Sequence, residues 1–198
     1  FDTGNPRIRD YMRTRTGNLI VGLETETRSL VQNTVARSFD QALTPRLVAD
    51  LIKPAIGLYP AQVRALSNYR AKLTADGIKP ARIDSLAEKY HDRLLDYRSM
   101  MIARTETRFA TNAGQLAVWQ QASNQGLIEG STKKRWIVDG APCETCEPME
   151  GIEVGLEEAW IITYPGGSQK SVFSPTESHP NCMCGMELAF VESAPREE

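Results

Sequence analysis

The residues best able to do chemistry in this 198-residue chain are gathered near its C-terminal end. All four cysteines and one of the two histidines fall in the pattern Cys143-x2-Cys146, then thirty-two residues, then His179-x2-Cys182-x-Cys184. Zinc takes four thiolate or imidazole donors in a tetrahedron, and a CxxC turn presents two sulfurs from one knuckle while a second group closes the site. Five donors compete for four places. Cys143, Cys146 and Cys182 belong to any metal site built here, with Cys184 or His179 as the fourth ligand. Two disulfides, or free thiols, are the alternative. With no secretory signal visible and the cysteines in tight CxxC and CxC pairs, metal is the better reading. The segment between the two pairs is too short to bury much core. A structural zinc, contributing about 10–16 kcal/mol of folding free energy, would replace the missing burial.

Sharper chemistries lack their other halves. Pro142-Cys143-Glu144-Thr145-Cys146 matches the P-C-x-x-C half of the zinc deaminase signature, but the H-x-E half is absent: His91 is followed by Asp92-Arg93. A redox CxxC needs a stabilised thiolate, and Glu144, Glu147 and Glu150 are expected to raise the thiol pKa values instead. A zinc knuckle for nucleic acid needs basic residues. From Asp139 to Glu158 there are seven acids and no Lys or Arg, so phosphate would be repelled. His91 reads as a packing or surface residue, and no nucleophile–base pair assembles. The expectation is a protein that is not an enzyme.

The elements that must hold the cluster follow from periodicity and punctuation. Apolar residues from Leu19 to about Ala42, among them Leu23, Leu30, Val31, Val35 and Phe39, recur at helical spacings. Thr44-Pro45 starts a second helix through Leu47, Val48, Leu51 and Ile52, ended by Pro54 and Gly57. Tyr59-Pro60 opens a third, with Val63, Leu66, Tyr69, Arg70 and Leu73, and Gly77 stops it. Lys79-Pro80 opens the longest, about 80–125, with a heptad-like stripe of Ile83, Ala87, Tyr90, Leu94, Tyr97 and Met101. Beyond Lys133 the texture becomes strand-like at 135–139, 160–164, 170–173 and 187–191, with a Pro165-Gly166-Gly167-Ser168 turn. Trp119, Trp136 and Trp160 read as core or interface anchors.

The fold class expected is α+β, a mainly helical body with a long helix followed by a small β-rich, zinc-bound C-terminal module. The parts are a polar arm at 1–18, a basic helical domain at 19–130, an acidic β-rich Cys/His module at 131–192 and a tail at 193–198, with the boundary near 126–134. The chain begins at Phe1 and is expected to continue upstream. A net charge of −2 hides a polarity. Residues 1–138 hold 21 Lys/Arg against 13 Asp/Glu (+8), and residues 139–198 hold 2 against 12 (−10). Such a split concerns partners rather than fold. No run of about 18 apolar residues offers a membrane-spanning helix, so a membrane is not among the expected partners.

The order of motifs also resembles a known family. Ala103-Arg104-Thr105-Glu106-Thr107 leads to Ala110-Thr111-Asn112-Ala113-Gly114, then Lys134-Arg135-Trp136-Ile137, then Cys143-Glu144-Thr145-Cys146-Glu147-Pro148-Met149-Glu150-Gly151, and finally His179-Pro180-Asn181-Cys182-Met183-Cys184. This is similar to the phage Mu protein F-like family of head morphogenesis proteins, the minor head proteins of tailed bacteriophages, over residues 80–190. Met183 departs from the pattern, standing where an arginine is usual. The resemblance implies a virion component near the portal vertex, present in host cytoplasm during assembly. Its partners would be portal, major capsid and scaffold proteins, and it would contact packaged DNA through the basic helical region. Two other classes remain beside it: a DNA-binding accessory protein using the basic helices, whose affinity would fall steeply with salt, and a zinc hydrolase, which needs an open coordination position.

Overall fold

A computed structural model describes residues 25–189 of the chain. It is mixed helix and sheet, with four helices and two small antiparallel sheets among the described residues. The expected arm at 1–18, the start of the first helix before Thr25, and the tail at 193–198 lie outside the described residues. Contacts divide the described chain into two compact units, residues 25–106 and residues 107–189. The switch from helix to strand falls between Asn124 and Lys133, where the sequence placed its boundary, but the packing division lies earlier, inside the longest helix.

In the first unit, α1 (Thr25–Asp40) buries Val31, Val35 and Ser38. It ends where Ala42 takes a left-handed φ of 50° and the Leu43 N–H closes onto the Ser38 carbonyl at 2.9 Å. Helix α2 (Pro45–Ile52) starts as its sequence demands: Thr44 Oγ1 accepts the Leu47 N–H at 3.4 Å, and Pro45 sits where its missing N–H costs nothing. Val48, Ala49 and Ile52 pack with Val31, Val35, Ile102 and Ala103 into the core of this unit. Helix α3 (Pro60–Ala75) buries only Gln62, whose side chain accepts the Tyr59 N–H at 3.3 Å and donates to the Leu94 carbonyl at 2.9 Å. Gly77, at φ 74°, ends it.

Helix α4 spans Pro80–Asn124 as one element of 45 residues, and contributes residues 80–106 to the first unit. The heptad stripe was only partly right. Ile83 and Ala87 are buried, but Tyr97 is 64% exposed, while Arg98, Ser99 and Glu106 lie inside. An α-helix of 3.6 residues per turn drifts about 20° per heptad against a 3.5 repeat. Two heptads beyond Ile83 the stripe has rotated off the core, and Arg98 occupies the inward position. Its guanidinium donates to the Gly57 carbonyl at 2.5 Å and lies over the Tyr59 ring. Arg104 is exposed and Glu106 buried, as their spacing of two on a helix requires.

In the second unit, the last turns of α4 end at Gly126, with φ 69° and the Leu127 N–H bonded to the Ala122 carbonyl at 2.9 Å. Strand β1 (Lys133–Ile137) is central in a sheet of order β2-β1-β5, flanked by β2 (Glu153–Gly155) and β5 (Gly185–Ala189), both antiparallel to it. Strands β3 (Trp160–Thr163) and β4 (Gln169–Val172) form a separate hairpin, turned at Gly167 with φ 80°. Trp136 from β1 and Trp160 from β3 meet edge to face at 5.3 Å, and both are buried. Cys146, Cys182 and Cys184 belong to the same core as these tryptophans, with Leu116 from α4. Three of the four cysteines are therefore part of the interior of this unit, while Cys143 is exposed.

Candidate metal centre

Two tight turns bring the donors in. After β1, the Cys143 carbonyl accepts the N–H groups of Cys146 and Glu147, each at 2.9 Å, which closes one helical turn and puts both CxxC sulfurs on one side. Gly151, at φ 74°, then donates to the Trp136 carbonyl at 2.9 Å and returns the chain to β2. The second turn begins where the Tyr164 hydroxyl donates to the Ser178 carbonyl at 2.6 Å. Asn181 adopts a left-handed φ of 60°, a conformation Asn tolerates better than most residues, and the Cys182 N–H reaches the His179 carbonyl at 3.3 Å.

The result gathers all five donors named from the sequence. Cys143 Sγ lies 3.2 Å and Cys146 Sγ 3.3 Å from His179 Nε2, and Cys146 Sγ lies 3.8 Å from Cys182 Sγ. With zinc–sulfur bonds of about 2.3 Å, the edge of a tetrahedron is about 3.8 Å between two sulfurs and about 3.5 Å between sulfur and nitrogen. Each of these three pairwise contacts is close to the separation of two ligands that share an ion. Two triads satisfy the proximity a metal needs, Cys143–Cys146–His179 and Cys146–Cys182–Cys184, within which all donor atoms lie inside 4.8 Å of one another. Cys146 is the member they share.

The imidazole is set for ligation. A carbonyl only accepts, so the 2.9 Å contact from His179 Nδ1 to the Pro180 oxygen puts the proton on Nδ1 and leaves the Nε2 lone pair facing the sulfurs. The thiols are not equivalent. Burial works against ionising Cys143, but the N–H groups of Cys146 and Thr145 point at its sulfur, and its pKa falls below the usual thiol value. Cys182 is lowered by hydrogen bonds from the thiols of Cys146 and then Cys184, and Cys146 is pushed up by the same contact with Cys182. The expectation that Glu144, Glu147 and Glu150 would raise these thiols is corrected here. Their side chains stand in solvent, where their fields are screened, and burial, the neighbouring thiols and backbone N–H groups set the shifts instead.

No family model, curated protein or solved structure matches the chain. What can be said of its chemistry comes from the cluster itself. A set of thiol and imidazole donors could hold a soft or borderline divalent ion.

Sequence reading missed the residues around the donors. Arg108 Nη2 donates to the Met183 carbonyl at 2.6 Å, and Asn112 Nδ2 to the Cys184 carbonyl at 3.4 Å. Lys134 was named only as part of a motif and lay outside the expected strand, yet it is fully buried in β1. Its ammonium donates to the Leu156 and Phe173 carbonyls and lies 4.7 Å from the Trp160 ring centre. Burial pushes its pKa down to about 8, against the opposing pull of Glu177, Glu157 and Glu158. Alternation along β1, with Lys134 and Trp136 on the same face two residues apart, was the signal available. Among the described residues His91 joins no group of metal-type donors; its Nδ1 lies 3.3 Å from Asp92 Oδ1.

Proposed function

We propose that this chain is a non-catalytic assembly protein of a bacteriophage head, a minor capsid component working near the portal vertex, whose residues 107–189 are held folded by one zinc ion. The observation that carries the reading is the meeting of Cys143, Cys146, His179, Cys182 and Cys184 in one cluster against the end of α4. The CxxC turn and the His-Pro-x-Cys-x-Cys turn, two motifs of the family resemblance, both contribute to that cluster, which supports the reading. Zinc fits because the donors are sulfur and imidazole in close pairwise contact, and because three of the cysteines take core positions in a small unit. Four side-chain ligands would leave no place for an activated water, which favours a structural role.

The partners in this reading are portal, major capsid and scaffold proteins, with packaged DNA contacted by the basic helical region, first in host cytoplasm and then in the virion. No helix among the described residues is long and apolar enough to cross a membrane. The test is to locate the chain in assembling particles. Co-purification with procapsids and density at a single vertex are expected. DNA-filled heads assembling normally after deletion of the chain would overturn the proposal.

A further inference from the structure

The face of α4 turned toward the cluster is polar where an apolar stripe would be ordinary. Arg108, Asn112 and Gln115, at spacings of four and three, lie on one side of the helix. Arg108 donates to the carbonyl of Met183, Asn112 to that of Cys184 and Gln115 to that of Met186, at 2.6, 3.4 and 3.4 Å. All three acceptors lie on the segment that carries Cys182 and Cys184 into β5. Asn112 also reaches Thr176 Oγ1 at 3.5 Å, just before the His179 turn.

We propose that Arg108 is a positioning residue of the metal centre, holding the Cys182-Met183-Cys184 turn in its ligating form from α4. The inference rests on the metal reading above. The Met183 carbonyl belongs to the peptide between two donor sulfurs, so fixing it fixes the direction in which both point. Arg108 is the shortest of the three contacts and the only charged donor among them, and a charged donor makes the stronger bond. Its charge has a second effect. Three thiolates around a divalent ion leave a net negative charge and four leave more, and a guanidinium bonded to the neighbouring peptide offsets it. Partners that orient ligands in this way set affinity without touching the ion.

Titration of the full chain with Co(II), and with Zn(II) against a chromophoric chelator, tests this. Arg108→Met removes both donor and charge. It is expected to weaken zinc binding about 10- to 100-fold and to alter the ligand-field bands of bound Co(II), because the ligands stay but their geometry loosens. Arg108→Lys restores the charge and one donor and should recover part of the affinity. Gln120→Ala is the control. Gln120 bonds a carbonyl from the same helix, at Leu156, away from both cysteine turns, so its removal should leave metal binding unchanged.

Wild-type affinity and an unaltered Co(II) spectrum in Arg108→Met would overturn the positioning role while leaving the metal reading intact. If the unsubstituted chain takes up neither ion, the metal reading itself fails and this inference falls with it. Should Arg108→Met prove too unstable to titrate, Arg108→Lys decides: several-fold weaker binding supports the role, and undiminished affinity assigns Arg108 to packing alone.

Discussion

The sulfurs of Cys146 and Cys182 lie 3.8 Å apart across 36 positions of sequence. Cys146 comes from the turn after β1 and Cys182 from the turn before β5, and β1 and β5 are paired along their whole length. The sheet register and the sulfur contact thus impose the same constraint from opposite ends, and an ion held between the turns would lock both.

Removing the shared ligand should be the most damaging single change at the cluster. Cys146→Ser takes a donor from both triads and puts a hydroxyl into a core position that is 1% exposed. It is expected to unfold residues 133–189, lost as β-signal in circular dichroism, while the helical signal of α1–α3 persists. Cys184→Ser should be milder, because Cys184 belongs to one triad and four other donors remain. Equal stability of the Cys146 variant and the unsubstituted protein would show that the cluster does not hold the fold.

Lys134 gives the protein a distinctive pH response. Its pKa is about 8 folded against 10.5 in the unfolded chain, so between these values the unfolded state binds more protons than the folded one. Stability therefore rises with pH across that window and is level, for this group, below about pH 8. Lys134→Met should abolish the rise. Denaturant midpoints measured in reducing buffer from pH 7.5 to 10.5 check this, and identical slopes in the two proteins would contradict it.

The two buried tryptophans should respond differently to the same substitution. Trp160 Nε1 donates to the Ile152 carbonyl at 2.9 Å, whereas Trp136 Nε1 is buried with no partner. Changing either to Phe removes a similar volume, so the difference reports the hydrogen bond. Trp160→Phe is expected to cost about 1 kcal/mol more than Trp136→Phe. Trp136→Ala should cost about 3–5 kcal/mol, since the ring is fully enclosed. Chemical denaturation of the three variants ranks them.

Much of this architecture was legible because local signals were strong. Thr44-Pro45, Tyr59-Pro60 and Lys79-Pro80 start helices at the expected places, and Gly77 and Gly126 end two of them. The five residues that gather at the candidate site were named from type and spacing alone. Strand edges were less so: β1 runs over 133–137 rather than 135–139, because Lys133 and Lys134 hide a strand start behind charge. The last two residues expected in the final strand, Phe190 and Val191, lie outside the described residues. Strand β2 was missed, being three residues long and acidic at its start, with no periodicity to read. Arg108 and Gln115 were not singled out from the sequence, and Asn112 stood only as one residue of a longer motif. Their acceptors are backbone carbonyls about 70 residues away, and backbone acceptors carry no sequence signal.

In the proposed function a single ion bound by cysteine and histidine side chains holds residues 107–189 together. Native mass spectrometry of the protein purified without added metal or chelator, compared with the same sample denatured in acid, addresses it directly. The expected result is a mass excess of one zinc in the native spectrum, lost on denaturation, with the cysteines unreactive to a thiol reagent until the ion is released. A folded, metal-free protein with four freely reactive cysteines would contradict it.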